Sequence, residues 1–333
     1  MAAVADSATG LTAYGTPAHG GLLWGMDFTP EGPRDATALS PRVPDTFRWL
    51  HFSLADNGTR QWITHDSGLS PAICEALLGS DTYQSSTVEG DTLACVLQDL
   101  QRDFDVRHAD RIGTVHVALT PDLLITARLH PLGFADVLRR RFAERPRING
   151  APDALALLVG AIVENQTALV ETLSAQVQKA EDAVLAGHAP PSSRELLETR
   201  RRLALVHRMV DGMNRVFLRL EDDEDLPEPM EPVIARLTQR LQGLDEDVAG
   251  IQAQVRLLRD ELELASNQRI NRNLYILSVM TVLLMPATLV TGFFGMNTGD
   301  LPFVHAHGTW IAGAVALGAS AATWLFLRRR AFV

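Results

Sequence analysis

Hydrophobic and polar positions change rhythm twice along this chain. Up to about residue 150 the apolar residues come in short runs of strand character: Trp49 to Leu54, Thr92 to Leu100, Thr114 to Thr120 and Leu123 to His130. β-Branched and aromatic side chains fill them, as a pleated, half-buried surface requires. Ser70 to Ser80 (SPAICEALLGS) and Ala135 to Glu144 (ADVLRRRFAE) carry helical spacing between and after these runs. Residues 1–150 therefore read as an α/β domain. His51 and His116 fall within strand runs, and packing or surface roles are expected of both.

From Pro152 the period turns helical. One long helix is expected to about Leu185, ending at Gly187 ahead of Pro190 and Pro191. A second begins at a capping box, Ser192 with Glu195, and runs to about Leu220. The connection Glu221 to Glu231 carries seven acids and no base. It suits a solvated turn, or a loop that concentrates cations or holds a regulatory divalent ion. Then comes the most regular feature. Ile234, Leu237, Leu241, Leu244, Val248, Ile251, Val255, Leu258, Leu262 and Ala265 alternate three and four residues apart. That is a heptad seam of coiled-coil type, and it offers a means of assembling copies. No Pro or Gly cluster follows it, so one helix is expected from about Val233 to Phe294, on the order of 90 Å long.

Two stretches lack any charge: Leu274 to Phe294, 21 residues, and Thr309 to Leu327, 19 residues. At 1.5 Å per residue the first gives roughly 31 Å of helix, the thickness of a hydrocarbon core. Both read as membrane spans. Arg269 and Arg272 precede the first and Arg328, Arg329 and Arg330 follow the second, while residues 295–308 hold no Lys or Arg. The positive-inside rule then puts both termini in the cytoplasm, with most of the chain cytosolic and lipid around the spans. The expected organisation is 1–150 α/β domain, 151–273 long-helix stalk, 274–294 first span, 295–308 external loop, 309–327 second span and 328–333 basic tail.

Polar and slim residues in the first span form a stripe. Ser278, Thr281, Met285, Thr288 and Gly292 repeat at three and four residues, and the same rhythm reaches back to Leu274 and Asn271. Ile276, Val279, Leu283 and Val290 cover the other faces. Lipid does not solvate hydroxyls, so the stripe needs a reason: close helix–helix packing or a water-lined pore. The second span has its own small-residue row, Ala314, Gly318 and Ala322, suited to packing on the first and leaving the stripe free. Two helices cannot enclose water, so a pore requires several copies around an axis. Pro286 leaves the Val282 carbonyl without its usual donor, a place suited to a bend.

Composition removes several function classes. With 30 basic and 40 acidic residues the net charge is −10, against a nucleic-acid groove. Cys74 and Cys95 are the only cysteines, so no disulfide framework or CxxC metal site is available, and two buried thiols suit a reducing compartment. The opening MAAVADSATG has no charged region followed by a long apolar one, so no cleaved signal is expected. No GxGxxG, GxxxxGK[ST] or HExxH pattern occurs, nor any nucleophile–base constellation. Neither an enzyme nor a resident cofactor is expected.

Gly295-Met296-Asn297 closes the first span, ahead of a short loop and a last span. With Met285-Pro286-Ala287-Thr288 and Gly292 before it, this resembles the CorA superfamily of divalent-cation transporters. Trp49-Leu50-His51, Asn297-Thr298-Gly299 and Leu301-Pro302 are most similar to its ZntB zinc branch. Asp300 stands where that branch often has Gly, and Met296 is the magnesium-type residue. The resemblance implies an α+β membrane protein assembled as a homopentameric funnel in the bacterial inner membrane, with the first span lining the pore and Asn297 at its outer mouth. It implies uptake of Zn²⁺, proton-coupled or channel-like, with a CorA-type channel for Mg²⁺, Co²⁺ or Ni²⁺ as the alternative. In that setting Asp300, His305 and His307 of the external loop join Gly295, Met296 and Asn297 as candidate metal contacts; imidazole suits Zn²⁺ and carboxylate attracts any cation. A membrane-anchored coiled-coil scaffold or sensor is the reading from another class.

Overall fold

The computed structural model describes residues 21–38, 40–41, 44–79, 83–102, 111–144, 146–188, 191–295 and 308–329. The chain divides into two compact units, Met1–Arg256 and Leu257–Val333. The first is built on a seven-stranded sheet of β1 (Leu22–Thr29), β2 (Gly32–Asp35), β3 (Phe47–Ser53), β4 (Ser85–Glu89), β5 (Thr92–Leu100), β6 (Ile112–Leu119) and β7 (Leu123–Arg128). Their order is β2-β1-β3-β7-β6-β5-β4, and only β3 and β7 run parallel. Four of the strands coincide with the runs expected from sequence. The other three carry weak patterns: β2 is GPRD, β4 is SSTVE, and β1 is interrupted by Gly25 and Asp27. β2 and β4 are the sheet edges, where polar residues also discourage further pairing.

Both faces of the sheet are covered, which explains the unbroken burial of β3 and β7. On one face Ile63 of α1 (Asn57–His65) and Ile73, Cys74 and Leu77 of α2 (Pro71–Leu78) pack on Leu50, Phe52, Ile125 and Ala127. On the other, Trp49, Cys95, Leu97 and Val117 meet α3 (Phe134–Ala143), α4 (Ala151–Leu185) and α5 (Ser193–Glu221). The two thiols therefore lie in different cores, both free. Burial pushes the Cys95 thiol up to about 12. α5 opens with the expected capping box: Glu195 N–H donates to Ser192 Oγ at 3.2 Å, and Ser192 N–H donates to Glu195 Oε2 at 2.8 Å.

A short 3-10 turn, Glu228–Met230, leads into α6 (Glu231–Gly295), and α7 (Gly308–Arg329) ends the described chain. Within the first unit the heptad seam of α6 is not free. Ile234, Leu237, Leu241, Leu244, Val248, Ile251 and Val255 are buried in the same core as α4 and α5. Beyond that unit Leu258 is buried, Leu262 half-buried and Ala265 exposed. The seam expected to assemble copies is thus used inside the protomer. From Ile234 to Val255 its side chains share one core with Val170, Leu173, Val206 and Val210 among others, which leaves that part of the seam no surface to offer a second chain.

The parallel β3–β7 junction carries a buried polar latch. Trp49 Nε1 donates to Thr126 Oγ1 at 3.0 Å, and His51 Nδ1 lies 2.8 Å from the same oxygen. Arg128 Nε donates to His51 Nε2 at 3.0 Å, so Nε2 is the unprotonated nitrogen and Nδ1–H the donor to Thr126. Trp24 stacks on the ring at 5.1 Å. Burial, aided by the Arg128 charge, holds His51 down to about 3. His116, on β6, lies 3.1 Å through Nδ1 from the Ala76 carbonyl oxygen. Both histidines of the strand runs are therefore packing residues.

This latch gives a signed expectation. Unfolded His51 takes up a proton near pH 6.5, whereas the folded ring takes it up only near pH 3. Stability is therefore lost as pH falls through that window, by about 1.4 kcal/mol per pH unit. A His51→Gln variant does not titrate here. Denaturant unfolding of the full chain, followed by tryptophan fluorescence, should show wild type more stable at pH 7 and the gap narrowing toward pH 4. A gap independent of pH would mean that the ring is not held neutral.

Candidate ion pathway in the apolar helices

Among the described residues three helices have the length and composition to cross a membrane, and burial separates them. The most apolar window of α4 is 56% buried in the protein core, while those of α6 and α7 are 0% and 6% buried. α4 thus finds its apolar cover inside the first unit. The last part of α6 and α7 leave Leu277, Met280, Leu284, Leu289, Trp310 and Leu317 bare, a surface that water does not tolerate but hydrocarbon does. Apart from the Val282 carbonyl, which faces Pro286, backbone groups in the interior of each helix pair along it, the condition for entering lipid.

Within this second unit each helix shows one sheltered stripe. On α6 it is Val279, Leu283, Pro286, Ala287 and Val290, all half-buried. On α7 it is Ala312, Ala316, Ala319, Ser320, Thr323 and Leu327, of which Ala316 is fully buried. The row expected from sequence to pack on the first span is not the sheltered one: Ala314, Gly318 and Ala322 are exposed. Both sets satisfy small-residue spacing on one 22-residue helix, and spacing alone does not say which face meets the neighbour. Pro286 sits in the sheltered stripe, and α6 continues through it to Gly295.

The polar stripe lies away from the sheltered one. Asn271, Leu274, Ser278, Thr281, Met285, Thr288 and Gly292 are all exposed on α6, Met285 at 67%. At about 100° per residue, their mean direction lies roughly 160° around the helix from the sheltered stripe. Thr281 Oγ1 donates to the Leu277 carbonyl at 2.8 Å and Thr288 Oγ1 to the Leu284 carbonyl at 3.0 Å. Each hydroxyl proton is thereby tied to the helix, and the oxygen's lone pairs remain as acceptors.

Gly295 is the last residue of α6. Met296, Asn297, Asp300, His305 and His307 lie outside the described residues. Among the described residues no group of three or more His, Cys, Asp or Glu side chains stands close enough to share a metal, the acidic connection included. At the far end of α7, Arg328 lies over the Trp324 ring, 5.3 Å from its centroid. Such a cation–aromatic pair suits a membrane–water boundary. Sequence reasoning passed over this pair; a tryptophan one turn before the arginine run was its signal.

Known proteins bear on this geometry. The description of the CorA-like Mg²⁺ transporter proteins matches residues 44–329. The chain is 25% identical to the divalent cation transporter CmaX of Pseudomonas aeruginosa, covering 96% of this chain and 99% of that protein. It is 23% identical to the zinc transport protein ZntB of Yersinia enterocolitica, over 82% and 84% of the two chains. The structure of full-length CmaX superposes with a TM-score of 0.78 at 22% identity, over 95% of this chain and 99% of that one. The complete CorA magnesium transporter of Methanocaldococcus jannaschii superposes at 0.76 with 16% identity, over 93% and 99%, a likeness of fold. A match spanning the sheet, the long helices and both apolar helices is not confined to one motif, and this chain belongs to the CorA-like family of divalent cation transporters.

Proposed function

We propose that this chain carries divalent metal ions, Zn²⁺ foremost, through a homopentamer whose pore is lined by the polar stripe of α6. One observation carries the reading: the hydroxyl-bearing face of α6 lies opposite the half-buried stripe of the same helix and is exposed in the protomer. Copies arranged around an axis would turn that face inward and leave the remaining apolar surface to lipid. The arginines before the first apolar stretch and after the second support cytoplasmic termini in a bacterial inner membrane. Divalent ions of this kind give up their waters reluctantly, Mg²⁺ most of all. A hydrated ion presents water hydrogens to the wall, and a wall of acceptors suits it. Thr281 and Thr288, their protons committed to helix carbonyls, present such oxygens. Asn297 amide oxygens at the outer mouth, next to Gly295 and Met296, would select the ion through its hydration shell. Met285 would form an apolar collar. No charged group lies on the stripe between Asn271 and Gly292, so the ion is never bound too tightly to leave.

Zinc in preference to magnesium rests on the likeness to ZntB and on the external loop. His305 and His307 supply neutral imidazole, which favours Zn²⁺, Ni²⁺ and Co²⁺, and Asp300 adds attraction for any cation. Neither apolar stretch contains an acid or a histidine. Proton coupling, if the transporter has it, therefore runs through groups outside the spans.

Three measurements test this. Replacing Asn297 by Ala should lower flux into proteoliposomes by about tenfold or more, as expected for a selecting ring, with the oligomer intact. Normal flux in an assembled variant removes Asn297 from the pathway. In a background lacking Cys74 and Cys95, single cysteines at Ser278, Thr281, Met285, Thr288 and Gly292 should react with a water-soluble thiol reagent while those at Ile276, Val279 and Val290 stay unreactive; equal labelling would make α6 a packed or lipid-facing helix, as in a scaffold. Finally, a His305→Ala/His307→Ala protein should take up Zn²⁺ with a raised KM and show unchanged Mg²⁺ competition. The wild-type KM itself should rise as external pH falls from about 7.5 to 5.5, because protonated imidazole cannot ligate. A wild-type zinc KM in the double variant across that range would make the loop histidines bystanders.

A further inference from the structure

Four arginines line one cleft of about 360 Å³ in the first unit: Arg141 of α3, Arg147 of the loop after it, and Arg236 and Arg240 of α6. Guanidinium groups crowded together repel one another. In a chain with 40 acids and a net charge of −10, carboxylates are plentiful enough to neutralise every one. Here that happens once, where Arg141 donates to Glu164 at 2.6 Å. Arg147, Arg236 and Arg240 meet no carboxylate among the described residues. Asp153 borders the same cleft, yet it is engaged with Asn149, accepting from its backbone N–H at 3.0 Å and its side-chain amide at 3.1 Å.

Two of these side chains converge on α4. A Cβ added at Gly160 would meet Arg141 Nη1 at 3.5 Å and Arg240 Nη1 at 3.6 Å, so two guanidinium ends lie over one bare glycine. Planar guanidinium forks match the paired oxygens of phosphate, and several of them outbid water for such a group where one alone does not. The arginines come from three separate elements, a spread suited to more than one phosphate. Arg147 and Ile148 also border a second cleft of about 760 Å³, which leaves room for an organic group beyond the phosphates.

We propose that the Arg141–Arg147–Arg236–Arg240 cleft is a binding site for a soluble anion with two or more linked phosphates, such as pyrophosphate or the tail of a nucleoside polyphosphate. The site does not depend on the transport reading, and a protein that fails to move zinc would still show it.

Titration of the full-length protein in detergent with pyrophosphate, followed calorimetrically, tests the assignment. Wild type should bind one equivalent per protomer. An Arg236→Gln/Arg240→Gln protein should lose about tenfold or more in affinity, on the order of two charge-assisted contacts. Both side chains are exposed, so circular dichroism and unfolding midpoint should stay as in wild type. An Arg200→Gln/Arg201→Gln protein removes equal charge from an exposed part of α5 and should bind like wild type. The proposal falls if wild type does not bind, if the cleft variant binds equally well, or if the α5 variant loses as much. It falls also if water-soluble short-chain phosphatidylglycerol binds through Arg236 and Arg240 while pyrophosphate does not, since the phosphate is then a lipid's.

Discussion

An α-helix satisfies its own backbone hydrogen bonds, and the rest of this structure depends on that. α6 runs for 65 residues, from Glu231 to Gly295, without an interruption. Because its peptide groups, the Val282 carbonyl opposite Pro286 apart, need little from their surroundings, it is the side chains that have to suit each environment. From Ile234 to Val255 the helix presents a heptad seam to α4 and α5 and closes the core of the first unit. From Leu274 onward it is apolar on nearly every side, with one polar stripe. A strand or loop could not make the same change without exposing unpaired amides to hydrocarbon.

The sheet illustrates the converse rule, that buried polar groups must be paired. Asp27 and Arg48 face each other in register on β1 and β3, joined by contacts of 2.6 and 2.7 Å, and Arg48 Nη1 reaches the Ser40 carbonyl at 2.7 Å. Asp99 on β5 accepts from the Phe134 backbone N–H at 2.7 Å, anchoring the start of α3, and from Asn165 of α4 at 2.9 Å. Burial outweighs those bonds and raises its carboxyl to about 6. A shift of one residue in either strand would strand these groups on the wrong face, so they add specificity to a register that hydrophobic alternation already favours. The arginine cleft departs from this pattern: three of its charges have no partner among the described residues.

Much of this architecture was legible in advance because its signals are local. The strands β3, β5, β6 and β7, the capping box at Ser192, the extent of α4 and the unbroken α6 all follow from short-range spacing and from residues that start or stop helices. The polar stripe was equally legible, since three- and four-residue spacing places Ser278, Thr281 and Thr288 on one face whatever lies opposite. β1, β2 and β4 were not, because edge and interrupted strands are fixed by the partners they pair with rather than by their own pattern.

What the sequence determined by itself, then, is periodicity: which residues share a face, how long each helix runs, and where charge is excluded. The tertiary structure decided what each face meets. The heptad seam of α6 was open to a second copy or to its own chain until α4 and α5 were seen to cover it. The small residues of α7 allowed two contact rows, and the one sheltered in the fold holds Ala312, Ala316, Ala319 and Thr323. Trp49, His51 and Arg128 became a latch only when parallel pairing set β3 beside β7. Likewise Arg141, Arg147, Arg236 and Arg240 span about a hundred positions in sequence and share one cleft only in space. The physical reason is common to all four: backbone geometry repeats along the chain and can be read from it, whereas a contact is a property of two surfaces, and sequence spacing describes one surface at a time.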